Sequence, residues 1–142
     1  MAVLEPTEMS TGVREIDADI EGLCFLMARI FDPLVECRRC NGVCDHSNCS
    51  RIAAIRAYVQ RGFIRQDALM ADAAYPLHAD HQAEHQALLN QLAAMTEAGL
   101  CADRDRQVVR EAVNRWLARH HRGFDRLLAN WTVTRRVLSP GP

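Results

Sequence analysis

The sequence contains no lysine: all 17 basic residues are arginine, set against 18 acidic residues for a formal net charge of −1. No field of one sign exists to draw the chain to nucleic acid or to an anionic membrane. With abundant alanine, the arginine-only pattern reads as a coding bias and carries no function. No apolar run approaches the roughly 18 residues that a membrane span needs. The opening residues, Met1 to Glu8, hold neither a basic stretch nor an apolar one, and so do not read as a secretory signal. Strand-type alternation is missing, as is any internal repeat. These absences leave a cytoplasmic globular protein as the expectation, with no membrane or nucleic-acid partner.

What is present suits one domain over 1–142. The chain has 142 residues, 49% of them apolar and 25% charged, enough to bury a core without disulfide staples. Four stretches carry helical periodicity. The first, about 13–31, places Ile16, Ile20, Leu23, Met27 and Ile30 on one face and is closed by Pro33. The second, about 51–74, follows Ser50 as N-cap and places Ile52, Ile55, Val59, Gly62, Gln66 and Met70 inward. The third starts near Pro76 and stops before Gly99, with an inward row of His78, His81, His85, Leu88, Leu92 and Met95. The fourth, about 103–130, aligns Val109, Val113, Trp116, His120, Phe124 and Leu127. Short connections make helices two to four antiparallel neighbours. The expected fold is all-α, an antiparallel up-down four-helix bundle.

Histidines interrupt that core. His81 and His85 stand four residues apart on an otherwise apolar face, and His120 and Asp125 follow on helix four. Bundles build metal sites from such inward histidines and carboxylates on facing helices, and a neutral imidazole suits a metal. Three histidines and one carboxylate fit iron or zinc. The plainer alternative is a set of hydrogen-bonded core histidines. His120 and Asp125 are five residues apart, about 140° on a regular helix, so a shared ion requires helix four to widen locally as a π-bulge. His78 and His121 are spare candidates.

Four segments in order resemble the hemerythrins and bacteriohemerythrins. They are Gly12-Val13-x-x-Ile16-Asp17, Phe63-x3-Asp67-x-Leu69-Met70, Tyr75-Pro76-x4-His81-x3-His85 and Trp116-Leu117-x-x-His120-x4-Asp125. The last two match the family's helix-three and helix-four motifs in spacing and content. The resemblance implies a bundle holding two irons bridged by carboxylates. One iron's three histidines match His81, His85 and His120, and a bridging aspartate matches Asp125. The other iron's two histidines fall on Ile20 and Gly62, and the bridging glutamate on Gln66. Ile and Gly offer no side-chain ligand, and Gln66 only a neutral carbonyl oxygen. The expectation is at most a mononuclear centre, and no dioxygen carrier.

The first connection, about 33–50, holds four of the six cysteines: Cys37, Cys40, Cys44 and Cys49, with His46 among them. In a reducing compartment clustered cysteines bind metal more often than they pair. Cys37-x-x-Cys40-x-Gly42 has the shape of a metal knuckle, in which a turn aims backbone N–H groups at thiolates. Zinc fits the four cysteines, or three with His46. An iron–sulfur cluster also takes four cysteines, although the spacing is not a ferredoxin one. Free or redox-active thiols are the alternative. Cys24, one turn after Ile20, reads as a small buried hydrophobe or a substitute ligand, and Cys101 as incidental.

Three functions remain open. The first is a regulatory or sensor module for metal, dioxygen, nitric oxide or redox state that signals to a protein partner. The second is a non-haem iron redox enzyme or electron carrier; no acid–base pair beyond the ligands supports it. The third is a zinc-stapled structural bundle with vestigial histidines.

Overall fold

The structure, a computed structural model, describes residues 9–30, 37, 39–40, 43–100 and 103–138. Helix α1 (Arg14–Ile30) opens on a small hydrogen-bonded cap. The Thr11 amide and hydroxyl both donate to Asp17 Oδ1 (2.9 and 2.7 Å), and the Val13 amide donates to Thr11 Oγ1 (3.2 Å). Gly12 turns the chain into the helix at φ 85°, a backbone region open to glycine at no steric cost.

After α1, two-residue strands β1 (Arg39–Cys40) and β2 (Val43–Cys44) form an antiparallel hairpin, with Arg39 opposite Cys44 and Cys40 opposite Val43. Helix α2 (Ser47–Asp72) starts earlier than Ser50 as N-cap predicts. Asp45 Oδ1 accepts the Ser47 amide (3.1 Å) and Cys37 Sγ accepts the Asn48 amide (3.4 Å). Two orphan donors of the first turn are thereby satisfied from upstream, and Ser50 lies inside the helix, its amide on the His46 carbonyl.

Helix α3 (His78–Ala98) begins two residues after Pro76 and stops at Gly99, φ 89°. Helix α4 (Asp103–His120), a π-helical turn (His121–Asp125) and α5 (Arg126–Leu138) complete the fourth arm of the bundle. This arm passes the predicted end at Asn130, because Trp131 still has work at the bundle end: its Nε1 donates to the Ala73 carbonyl (2.8 Å) and its ring leans on Tyr75.

The arms form the expected all-α bundle, α1 on α2, α2 on α3 and α3 on α4. No described helix is long and apolar enough to cross a membrane. The inward rows are as predicted for Ile16, Ile20, Leu23 and Met27 on α1 and for the six α2 positions. Leu127 is a correction. It is 52% exposed, and Leu128 is buried in its place, because the π-turn inserts one residue and advances the helix face by about 100°.

The core has two apolar clusters. One gathers Leu23, Ile55, Val59, Leu88, Val113 and Trp116 among others. The other gathers Val13, Ile16, Met70, Tyr75, Leu128 and Ala129. Along α2, α3 and the fourth arm, the buried polar residues Gln66, His81, His85, His120, His121 and Asp125 lie in sequence between the two sets.

Candidate metal centre

Helix α3 supplies His81 and His85, which share a face because they are one turn apart. The fourth arm supplies His120 and Asp125, brought together by the π-turn. The widening that their five-residue spacing demands is present at His121–Asp125. The three imidazole centroids form a near-equilateral triangle, with sides of 4.5, 4.7 and 4.9 Å. Asp125 Oδ1 lies 3.0 Å from His120 Nε2 and 3.4 Å from His81 Nε2. One ligand atom from each of the four residues falls within 4.8 Å of all the others, and all four residues are buried.

The donor set fits a single ion. Two ligand atoms bound at ~2.1 Å sit about 3.0 to 3.4 Å apart on octahedral or tetrahedral edges. Several of these atoms are also orphaned: both ring nitrogens of His85, both of His120, and Asp125 Oδ1 are buried without a hydrogen-bond partner. Buried polar atoms are normally satisfied, so a cluster of orphans converging on one point is what a cation would complete.

Aromatic rings fix the ligands in place. Phe63 stacks on His85 at 3.7 Å, nearly parallel. Trp116 and Phe124 both stack on the His120 ring, at 4.3 and 5.3 Å. Burial, together with the neighbouring His120 and His81, pushes the His85 pKa down to about 2, so the ring is neutral and its lone pair is free.

His121, weighed as a spare ligand, has another role. Its Nδ1 lies 2.8 Å from Asp125 Oδ2 and its Nε2 2.9 Å from the Met9 carbonyl. A carboxylate and a carbonyl can only accept, so both ring nitrogens donate and His121 is an imidazolium. Burial opposes that charge, but the bonds to Asp125 and Met9 prevail and raise its pKa. Burial also opposes the Asp125 carboxylate, and the neighbouring imidazoles of His120, His121 and His81 overcome it, holding the acid well below its usual range. His121 thus aims Asp125 with one oxygen while the other faces the histidines.

Two further groups flank the centre. Gln66 Oε1 lies 3.1 Å from His81 Nε2, at the edge of the ligand set. Glu84, whose position gave no signal in the sequence beyond its place before His85, brings Oε2 to 3.7 Å from His120 Nδ1. His78 stands apart, half-buried, 3.7 Å from Asp67.

The cysteine loop gathers differently from the four-cysteine expectation. Cys37 Sγ, Cys44 Sγ and the Asp45 carboxylate lie within 4.8 Å of one another. Cys37 accepts the Asn48 amide, and Cys44 accepts the His46 amide at 3.3 Å, the N–H to sulfur arrangement expected of a knuckle. His46 takes a left-handed conformation, φ 59°, to aim that amide; its side chain is not in the group. Cys40 stands in β1, and its side chain and Gly42 lie outside the described residues, as does Cys101. Cys49 packs against the large apolar cluster, and so does Cys24, whose thiol pKa is raised by burial and by Glu21. Neither joins a gathered group.

Comparison with known proteins gives no match: no family model covers the chain, and no curated protein or solved structure is similar to it at a significant level.

Proposed function

We propose that the chain is a metal-binding regulatory module of hemerythrin-like design, with one ion held by His81, His85, His120 and Asp125 and a second metal site in the cysteine loop. The observation that carries this reading is the convergence of buried, orphaned ligand atoms from two arms of the bundle. Bound iron or zinc would supply a Lewis-acidic ion with coordination positions left over for an outside ligand. The positions that the resemblance gives to a second iron offer no imidazole, since they hold Ile20 and Gly62. In the loop, Cys37 and Cys44 with Asp45 supply three ligands; zinc is favoured over an iron–sulfur cluster. The signal is metal, dioxygen, nitric oxide or redox state, and the receiver is a partner protein.

Metal content per chain on anaerobically purified protein tests this. Wild type is expected to hold two ions, a Cys37→Ser/Cys44→Ser variant one, and a His81→Ala/His120→Ala variant one. An unchanged metal content in the histidine variant would sink the bundle centre.

Glu84 acts on this centre through His120. A ligating imidazole is oriented by the partner of its other ring nitrogen, and Glu84 is the carboxylate nearest Nδ1. Glu84→Gln is expected to weaken metal affinity about tenfold, measured by chelator competition. An unchanged affinity would assign Glu84 to its ion pair with Arg119 alone.

A further inference from the structure

We propose that the half of the bundle centre facing α1 is a pocket for a small neutral ligand of the bundle metal, and that Asp19 is the group that keeps anions out of it. This inference rests on the metal reading above. A narrow cleft with a free volume of about 20 Å³, room for roughly one small molecule, is walled by Ile20, Leu23, Val59 and Phe63 and reaches His120 and Asp125. It therefore connects solvent with two of the four metal ligands.

Its polar lining comprises the carboxylates of Asp19 and Asp125, the amide of Gln66, the Tyr58 hydroxyl and the rings of Trp116 and His120. Asp19 is held at the rim by an ion pair between its Oδ1 and Arg65, whose side chain is 54% exposed and stays on the outside. Asp19 Oδ2 is buried with no partner. Gly62 admits this carboxylate: a Cβ there would come within 3.2 Å of Asp19 Cγ and Oδ2, closer than an ordinary contact. The position that carries no imidazole is thus filled from α1 by a carboxylate.

An occupant of this pocket meets apolar walls and the Asp19 carboxylate, whose Oδ2 has no partner while Arg65 holds its other oxygen. The charge of Asp125 is taken up by His121 and by the ion it helps to hold, so the repulsion met by an anion drawn to that ion comes from Asp19, at short range and with little screening. A neutral diatomic molecule passes, as does a small molecule that donates a hydrogen bond to Asp19 Oδ2. Discrimination by an unpaired charge placed against the wrong ligand is a general device of specificity.

The test uses the iron(II)-loaded, anaerobic full chain with nitric oxide as the neutral probe and azide as the anion, and variants Asp19→Asn and Gly62→Leu. Metal content is measured first. Nitric oxide is expected to give an iron–nitrosyl signal of similar affinity in wild type and Asp19→Asn. Azide is expected to bind at least tenfold more tightly to Asp19→Asn than to wild type. Gly62→Leu, which fills the cleft, is expected to keep its iron and lose nitric oxide; Gly62→Ala, a smaller intrusion, is expected to weaken it. A metal-loaded wild type and Asp19→Asn with equal azide affinity would overturn the role of Asp19. Undiminished nitric oxide binding in both Gly62 variants, or a second iron in the bundle, would overturn the pocket. A wild type that takes up no bundle metal would overturn this inference together with the reading beneath it.

Discussion

Asp125→Ala is expected to cost the metal-free protein about 3–5 kcal/mol, the range for removing one partner of a buried ion pair. Asp125 and His121 are 1% and 0% exposed, so no water replaces the lost carboxylate. The imidazolium of His121 would be left in the core with only the Met9 carbonyl, and would have to give up its proton or open the structure. His120 and His81 would lose the same carboxylate. Replacing both members of the pair removes the stranded charge, so His121→Phe added to Asp125→Ala is expected to cost less than the two single losses combined. Urea denaturation of the four proteins at pH 7 measures the coupling. A loss below about 1 kcal/mol for Asp125→Ala, the level of an exposed pair, would mean that the pair does not form.

The second large effect is the joint dependence on metal and pH. Metal at a thousandfold above its dissociation constant adds about 4 kcal/mol of stability, and that gain is expected to fade on acidification. Protons compete for the same nitrogens. The metal-free protein also weakens in acid. His85 is neutral in the fold down to about pH 2, whereas the unfolded chain takes up its proton near pH 6.5. Stability is therefore present above the unfolded pKa and lost below it, by about 2 kcal/mol between pH 7 and pH 5. His121 works in the opposite sense. Its raised pKa contributes stability that is full below pH 6.5 and lost as pH rises through its folded value. Asp125 contributes above the ordinary carboxylate pKa, and its share is lost as pH falls through its depressed value. His85→Gln removes this acid-sensitive share, so its pH 7-to-5 loss is expected to be smaller than that of wild type by about 2 kcal/mol. Equal losses in the two proteins would contradict a neutral, buried His85.

Most of the bundle was legible because its periodicity is strong and its stops are chemical: the i, i+4 histidines of α3, Gly99, and the inward rows of α1 and α2. The π-turn was also legible, because two groups five residues apart share a face only on a widened helix. Its consequence for Leu127 is not legible from periodicity, because a regular-helix row through Phe124 carries Leu127 inward while the π-turn puts Leu128 there. The flanking groups left little trace in the sequence. His121 and Glu84 are each adjacent to a candidate ligand and Asp19 is adjacent to Ile20, and adjacency in a helix points a side chain about 100° away. Only tertiary packing shows that Asp19 reaches over Gly62 and that His121 finds Met9, 112 residues away. In the loop, cysteine spacing gave the motif but not its membership. Asp45 entered because the start of α2 draws its carboxylate and two sulfurs toward the same few amides, while Cys49 was claimed by the core.

The π-turn also sets how the chain tolerates change. Asp125 is held in the core by the charge of His121, so its loss is costly. The winding of the arm is tied to the core as well. Tightening the π-turn into regular α-helix with every residue kept would turn Leu127 inward and Leu128 outward, and carry Trp131 off the Ala73 carbonyl. The same tightening would set His120 and Asp125 about 140° apart and part the carboxylate from the histidines, whereas deleting one residue within the turn would bring the two to a four-residue spacing and leave Leu128 inward. In the fourth arm, then, the extra residue of the turn and its widened winding are matched to each other, and together they set both the site and the far half of the hydrophobic core.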